Sequence, residues 1–127
     1  MVDSQGVPLA ITLSAANVHD SQGILETIDS IPFGWHPEAL YADKAYDAGW
    51  IRDALNSRMI EDRIPRQGVD SNKLYTRIRW VVERTFSWLN RFRRLKVRYE
   101  RRADIHQAFL VLGCSLICWN YRERWFC

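Results

Sequence analysis

The stretch that decides the fold is Arg79-Trp80-Val81-Val82-Glu83-Arg84-Thr85-Phe86-Ser87-Trp88-Leu89-Asn90-Arg91-Phe92-Arg93-Arg94-Leu95. Its apolar residues recur every three or four positions, which predicts a long amphipathic helix from Asp70 or Ser71 to about Arg94. The predicted core face comprises Ile78, Val82, Phe86 and Leu89. A separate polar stripe comprises Arg79, Glu83, Ser87 and Asn90.

Basic residues are concentrated on and just after this helix. The window from Arg77 to Arg102 holds ten basic residues and two acids, Glu83 and Glu100, and so carries +8. Because the whole chain carries +3, the remainder carries −5. A basic stripe on a mildly acidic body is typical of a protein that binds a polyanion. A solvated helix face is the alternative, but so few acids would leave such a face repelling itself, so we expect a nucleic-acid partner.

Short strands and helices alternate in the rest of the chain. Strands are predicted at Val7 to Leu13, at Ala39 to Ala42, ending at Asp43, and at Met59 to Pro65. Helices are predicted at Ser21 to Ser30, at Ala48 to about Arg58 with Asp47 as the cap, and at Ile105 to Arg122. The residues predicted to face inward are Ile24, Leu25 and Ile28 on the first of these helices and Ile51, Ala54 and Leu55 on the second. This order favours an α/β domain with helices packed on a sheet.

The final helix has an apolar stripe and a cysteine pair. The residues predicted to face inward are Ile105, Phe109, Leu112, Leu116 and Trp119. Cys114 and Cys118 are four positions apart and stack on one face, and with Cys127 they do not have the spacing of a zinc site. We interpret them as small buried apolar residues of a protein from a reducing compartment.

Length and composition indicate one folded domain without a membrane span. The 127 residues are 47% hydrophobic and 26% charged, as in ordinary globular proteins. No apolar run approaches the roughly 20 residues that cross a bilayer. The polar turn Val2 to Gly6 precedes the first predicted strand, and only Met1 is left to supply a partner strand before it. Because an unpaired strand is an aggregation liability, we expect the parent protein to extend upstream.

Two acids stand apart from the surface acids by their position. Asp43 follows a buried strand, and clefts for ligands open where strands of α/β sheets end. Glu83 lies in the middle of the long helix. Paired carboxylates bind Mg²⁺, and two such ions activate a hydroxyl nucleophile and stabilise the leaving oxygen in phosphodiester cleavage. The alternatives are that Asp43 is a turn residue and that Glu83 pairs with Arg79 one helical turn before it.

Three blocks of the sequence resemble a known family. They are Val2-Asp3-Ser4-Gln5-Gly6-Val7-Pro8-Leu9-Ala10 running on to Ala15-Ala16-Asn17-Val18-His19-Asp20-Ser21, then Tyr41-Ala42-Asp43-Lys44-Ala45-Tyr46-Asp47, and the Arg79 to Leu95 stretch. Together they resemble the DDE transposases of bacterial insertion sequences, which have a ribonuclease-H-like catalytic core. The resemblance implies that the chain is a C-terminal fragment of such a transposase.

The resemblance implies a role for each matching residue. Asp43 becomes the second acid of the catalytic triad and Glu83 the third, both as ligands of Mg²⁺ or Mn²⁺. Arg79 matches the arginine of the family's Tyr-Arg-Glu-Lys signature, whereas Thr76 stands at its tyrosine position and Asn90 at its lysine position, beside Arg91. The residues expected to contact DNA are Arg79, Arg84, Arg91, Arg93, Arg94, Lys96 and Arg98. His19 and Asp20 match the cap before the first helix, a structural role.

The first catalytic aspartate of the family lies upstream of the block that begins at Val2. We therefore expect a single domain at residues 1–127 that is ribonuclease-H-like, lacks its first strand and most of its second, and ends in two long helices. The resemblance implies that the full-length enzyme cuts insertion-sequence ends and joins the 3′-hydroxyl to target DNA, as a homo-oligomer in the cytoplasm at the nucleoid. The alternatives are a non-catalytic DNA-binding remnant that interferes with intact transposase, and an inert product that does not fold.

Overall fold

The structure is a computed structural model that describes residues 1–15, 17–66, 68 and 73–126, with only the backbone described at Phe33, at residues 73–77 and at residues 124–126. The predicted start of the long helix at Asp70 or Ser71 lies outside the described residues.

A small parallel sheet and two helices form the first core. Strand β1 (Ala39–Leu40) pairs in parallel with β2 (Glu61–Asp62), with Ala39 opposite Glu61. Helix α1 (Ile24–Asp29) precedes this sheet, and helix α2 (Gly49–Ser57) connects its two strands, because parallel strands need a crossover. The buried residues are Ile24, Ile28, Leu40, Ile51, Leu55, Ile60 and Ile64. The prediction of a mixed α/β fold is confirmed, and so are the inward faces of α1 and α2.

The predicted cap of α2 is wrong. The residue at the N-cap is Ala48, which makes no side-chain capping bond. Asp47 instead accepts a hydrogen bond of 2.6 Å from Nη2 of Arg52, and Arg52 also pairs with Asp62 and donates to the carbonyl of Ile64. The guanidinium outcompetes the helix amides for Asp47 because its hydrogen bond carries full charge. Arg52 therefore joins α2 to β2.

The predicted strand from Val7 to Leu13 does not form. Val2 and Pro8 make an isolated antiparallel bridge. Beside it, the amide of Asp3 donates to the carbonyl of Val7 at 3.0 Å, and the amide of Leu9 donates to the carbonyl of Met1 at 3.1 Å. Pairing thus reaches only the first part of the segment, because within the described residues it has only Met1 to Asp3 as its partner.

Three helices form the C-terminal part. Helix α3 is Lys73–Leu89, α4 is Arg93–Lys96 and α5 is Ala103–Phe126. The long helix therefore ends five residues earlier than predicted. A second core consists of Leu89, Cys114 and Ile117 with Ile11, Trp88, Phe92 and Leu95 packed against it. The helices approach closely at Gly113, where an added Cβ would lie 2.9 Å from Cδ1 of Leu95.

The predicted inward faces of α3 and α5 are wrong in part. Leu89 is buried, but Val82 and Phe86 are exposed. On α5, Ile105, Leu112, Leu116 and Trp119 are 41–55% exposed, and the buried positions are His106, Gly113, Cys114 and Ile117. Apolar residues occupy two faces of α5, so their spacing alone does not tell which face the rest of the chain covers.

The burial predicted for the cysteines is confirmed for Cys114 and in part for Cys118. Cys127 lies outside the described residues, and the reducing compartment stays a prediction. Cys114 is buried and Cys118 half-buried, and burial raises the pKa of both thiols. In the part of the chain that the structure describes, no helix is long and apolar enough to cross a membrane.

Candidate metal and nucleic-acid site

Asp43 lies three residues beyond the end of β1, on the surface. Its Oδ1 accepts a hydrogen bond of 2.9 Å from the amide of Ala45, which caps the short 3-10 helix Lys44–Tyr46. The turn role considered for this residue is therefore present. The capping bond also fixes the direction of the carboxylate and leaves Oδ2 without a hydrogen bond among the described residues.

Asp20 lies in the same neighbourhood, which the sequence analysis missed. The 3-10 helix Asp20–Gly23 packs against Lys44–Tyr46. Burial raises the pKa of the half-buried Tyr46, and the negative charges of Asp20 and Asp43 raise it further. Both carboxylates therefore act on this hydroxyl. The cap predicted for this segment is confirmed for His19, whose Nδ1 accepts from the amide of Ser21 at 3.3 Å.

Glu83 projects from the middle of α3, and its side chain is 59% exposed. Its Oε1 accepts a hydrogen bond of 3.0 Å from Nε of Arg79, the pair expected one helical turn apart. Such an exposed pair contributes only a few tenths of a kcal/mol. The hydrogen bond therefore holds the carboxylate of Glu83 only loosely, and another cation could replace Arg79 as its partner.

The two acids match the donor chemistry of Mg²⁺. This ion binds oxygen ligands and is commonly held by one or two carboxylates, with waters and substrate phosphates completing its shell. Asp43 and Glu83 each retain an oxygen without a hydrogen bond in the described chain. No group of three His, Cys, Asp or Glu residues that could hold a metal ion occurs among the described residues. That Asp43 and Glu83 together bind a metal ion therefore stays a prediction.

The basic residues differ in how far they are engaged. Nη1 of Arg94 donates to Glu100 at 2.6 Å, its guanidinium lies 5.3 Å from the ring of Phe109, and Nε of Arg98 donates to the carbonyl of Glu100 at 3.1 Å. Of the residues expected to contact DNA, Arg91, Arg93 and Lys96 are exposed and have side chains that make no hydrogen bond or ion pair with any described residue. These three side chains can therefore bind an anion without first breaking a bond within the described protein.

Arg84 is engaged within the protein. Its guanidinium carbon lies 4.7 Å from the ring of Trp80 and 5.0 Å from that of Trp88, so the arginine is held between two tryptophans. Nη2 donates to the carbonyl of Gln5, and the buried Nε has no partner among the described residues. Like Arg79, Arg94 and Arg98, this arginine already has a partner within the protein.

Residues 1–120 match the family model described as the transposase DDE domain. The chain belongs to the DDE transposase family. It is 47% identical to a protein described as the transposase for insertion sequence element IS402 of Burkholderia cepacia, a match that covers 98% of this chain and 63% of that protein. It is 28% identical to the transposase for insertion sequence element IS1106 of Neisseria meningitidis serogroup B, over 80% of this chain and 36% of that protein. This DDE transposase chain thus spans less than two thirds of either relative.

No solved structure matches the chain significantly. The family membership expected from the three sequence blocks is confirmed. Transposases of this family bind DNA and generally use divalent metal ions.

Proposed function

We propose that this chain supplies two metal-binding carboxylates and a DNA-binding surface to a ribonuclease-H-like DDE transposase domain. In the complete enzyme this domain cuts DNA at insertion-sequence ends and transfers the 3′-hydroxyl strand to target DNA. Membership of the family supports the proposal, as do the positions of Asp43 beyond β1 and of Glu83 on α3. That a first aspartate lies outside residues 1–127, and that these residues form one truncated domain, stay predictions.

Asp43 and Glu83 are the residues that would hold Mg²⁺ or Mn²⁺. When bound, such ions activate a hydroxyl nucleophile and stabilise the leaving oxygen of a phosphodiester. The carboxylate of Asp43 is kept in one direction by the amide of Ala45. That of Glu83 accepts a hydrogen bond from Arg79. If Glu83 held a metal ion, Arg79 would lose this partner and could bind a phosphate.

The proposed DNA-binding surface lies just after α3, the helix that carries Glu83, along the chain. Arg91, Arg93 and Lys96 are its main phosphate contacts, because they give up no internal bond on binding. Arg79, Arg94 and Arg98 contribute less, since each must first leave a partner. A protein that acts on insertion-sequence DNA works at the nucleoid, as a homo-oligomer when two element ends are joined.

One observation carries the proposal: α3 presents the exposed Glu83 and ends at Leu89, just before the unengaged cations. The distance from Glu83 to the end of α3 is about 9 Å along the axis at 1.5 Å per residue. In a duplex lying parallel to α3, this distance corresponds to about three phosphates of one strand, at 3.4 Å of axial rise each. A strand held by the cations therefore has a phosphodiester within reach of Glu83.

A Mn²⁺ titration followed by electron paramagnetic resonance tests the metal assignment. We expect Asp43→Asn and Glu83→Gln to weaken Mn²⁺ binding, and Asp53→Asn, which removes an exposed acid from α2, to leave it unchanged. Equal binding by all three variants would remove the metal assignment. If DNA binding then persisted with strong salt dependence, the non-catalytic DNA-binding remnant would be the better description of this chain.

A further inference from the structure

The turn from Asp3 to Val7 is built rigidly by its own residues. Oδ1 of Asp3 accepts hydrogen bonds of 2.8 Å from the amides of both Gln5 and Val7. The amide of Gly6 donates to the carbonyl of Asp3 at 3.0 Å. Gly6 has φ +79°, a left-handed conformation that glycine adopts without a steric penalty. The turn therefore presents the carbonyls of Gln5 and Gly6 in fixed directions.

Both of these carbonyls are bonded to α3, 79 residues away along the chain. The buried Oγ1 of Thr85 donates to the carbonyl of Gly6 at 2.7 Å, and Nη2 of Arg84 donates to that of Gln5. The contact is tight, since a Cβ at Gly6 would lie 2.9 Å from Oγ1 of Thr85 and 3.4 Å from Cγ1 of Val81. The turn is thus docked on the two residues that directly follow Glu83.

Arg84 is held in this position from both sides. Trp80 and Trp88 lie four residues before and after it on α3, and their rings flank the guanidinium. Stacking between two rings fixes the plane of the guanidinium. The side chain therefore acts as a short rigid arm between the helix and the turn.

The rotation of α3 decides where the carboxylate of Glu83 points. Side chains extend about 5–6 Å from a helix axis, so a rotation of about 10° moves the carboxylate by about 1 Å. Metal sites hold their ligand distances to within about 0.2 Å. Arg79, Trp80 and Val82 are exposed, so the neighbouring residues of α3 give little restraint. The buried contact of Leu89 lies more than one turn farther on.

We propose that the Asp3 to Val7 turn holds α3 in the rotation that directs the carboxylate of Glu83 toward its metal ion. Thr85 and Arg84 are the positioning residues, because they bond the helix to the turn. The proposal rests on the proposed function, because it assigns a metal to Glu83. It also reassigns Arg84, which contacts the turn rather than a phosphate.

Mn²⁺ affinity of the intact chain, measured well below the melting temperature, tests this proposal. Thr85→Val keeps the shape of the side chain and removes the hydroxyl, whereas Thr85→Ser keeps the hydroxyl. We expect Thr85→Val to weaken Mn²⁺ binding about tenfold, as the loss of a residue that orients a ligand does, and Thr85→Ser to restore wild-type binding. A purely structural role would lower the melting temperature and leave the affinity of the folded protein unchanged.

The two proposals fail in different ways. If the wild type binds Mn²⁺ and Thr85→Val binds it equally well, the positioning role is refuted and the metal assignment stands. If the wild type shows no binding that depends on Asp43 and Glu83, both proposals fall. Should Thr85→Val not fold, Arg84→Met replaces it, because this change keeps the apolar stem of the side chain and removes its hydrogen bond. Unchanged Mn²⁺ affinity in that variant refutes the role.

Discussion

Replacing Arg91 and Arg93 together by alanine should weaken DNA binding and flatten its salt dependence. Each phosphate that a cation neutralises adds about 0.9 to the slope of log K against log salt. Both side chains are exposed and bonded to no described residue, so their full electrostatic contribution goes to DNA. The double variant should therefore lose about 1.8 from the slope, which at 0.1 M salt is about 60-fold in affinity.

Fluorescence anisotropy with a labelled duplex, titrated at several salt concentrations, measures both quantities. Arg66→Ala is the matched control, because it removes one exposed positive charge outside the basic stripe. We expect the control to change the slope little. If Arg66→Ala flattened the slope as much per charge as the double variant does, the protein would bind DNA by its overall charge and the stripe would have no special role.

Three further predictions concern the fold. In urea unfolding, Leu112→Gln should change the free energy of unfolding by less than about 0.5 kcal/mol, as substitutions at exposed positions do. Ile117→Ala should lower it by about 2 kcal/mol or more, because this residue is buried. The reverse order would show that α5 buries the face predicted from the sequence. Gly113→Ala should cost about 1–3 kcal/mol by overpacking, and an unchanged urea midpoint would show that the helices are not in close contact there. The hydrogen bond from Arg58 lowers the pKa of Asp29, so the stability from this pair is present above the ordinary pKa of about 3.9 and lost as the pH falls through the lowered value. Arg58→Met should therefore melt lower than wild type at pH 7 and converge with it in acid, and a pH-independent difference in melting temperature would contradict this.

The sequence predicted the parts of the fold in which one apolar face meets one core. Ile51 and Leu55 lie on a helix with a single apolar stripe, and both are fully buried as expected. The salt bridge between Arg79 and Glu83 was equally predictable, because it depends only on helical spacing.

Other features depend on contacts between distant residues and could not be read from local patterns. Helix α5 is apolar on two faces, and only packing shows that Ile117 is buried while Leu112 is exposed. The contact of Arg84 with Gln5 joins residues 79 positions apart, so the arginine looked like any other cation of the basic stripe. In the same way, nothing in the local sequence places Asp20 near Asp43.

The central claim is that Asp43 and Glu83 hold one divalent ion together. Iron(II) that replaces this ion in the presence of ascorbate and peroxide generates hydroxyl radicals, which cut the polypeptide close to its ligands. We predict fragments from cuts near both Asp43 and Glu83, suppressed by excess Mg²⁺ and lost at both positions together in Asp43→Asn and in Glu83→Gln. Cuts at only one position, or cuts at one that survive the loss of the other acid, would contradict the claim that the two carboxylates share a metal.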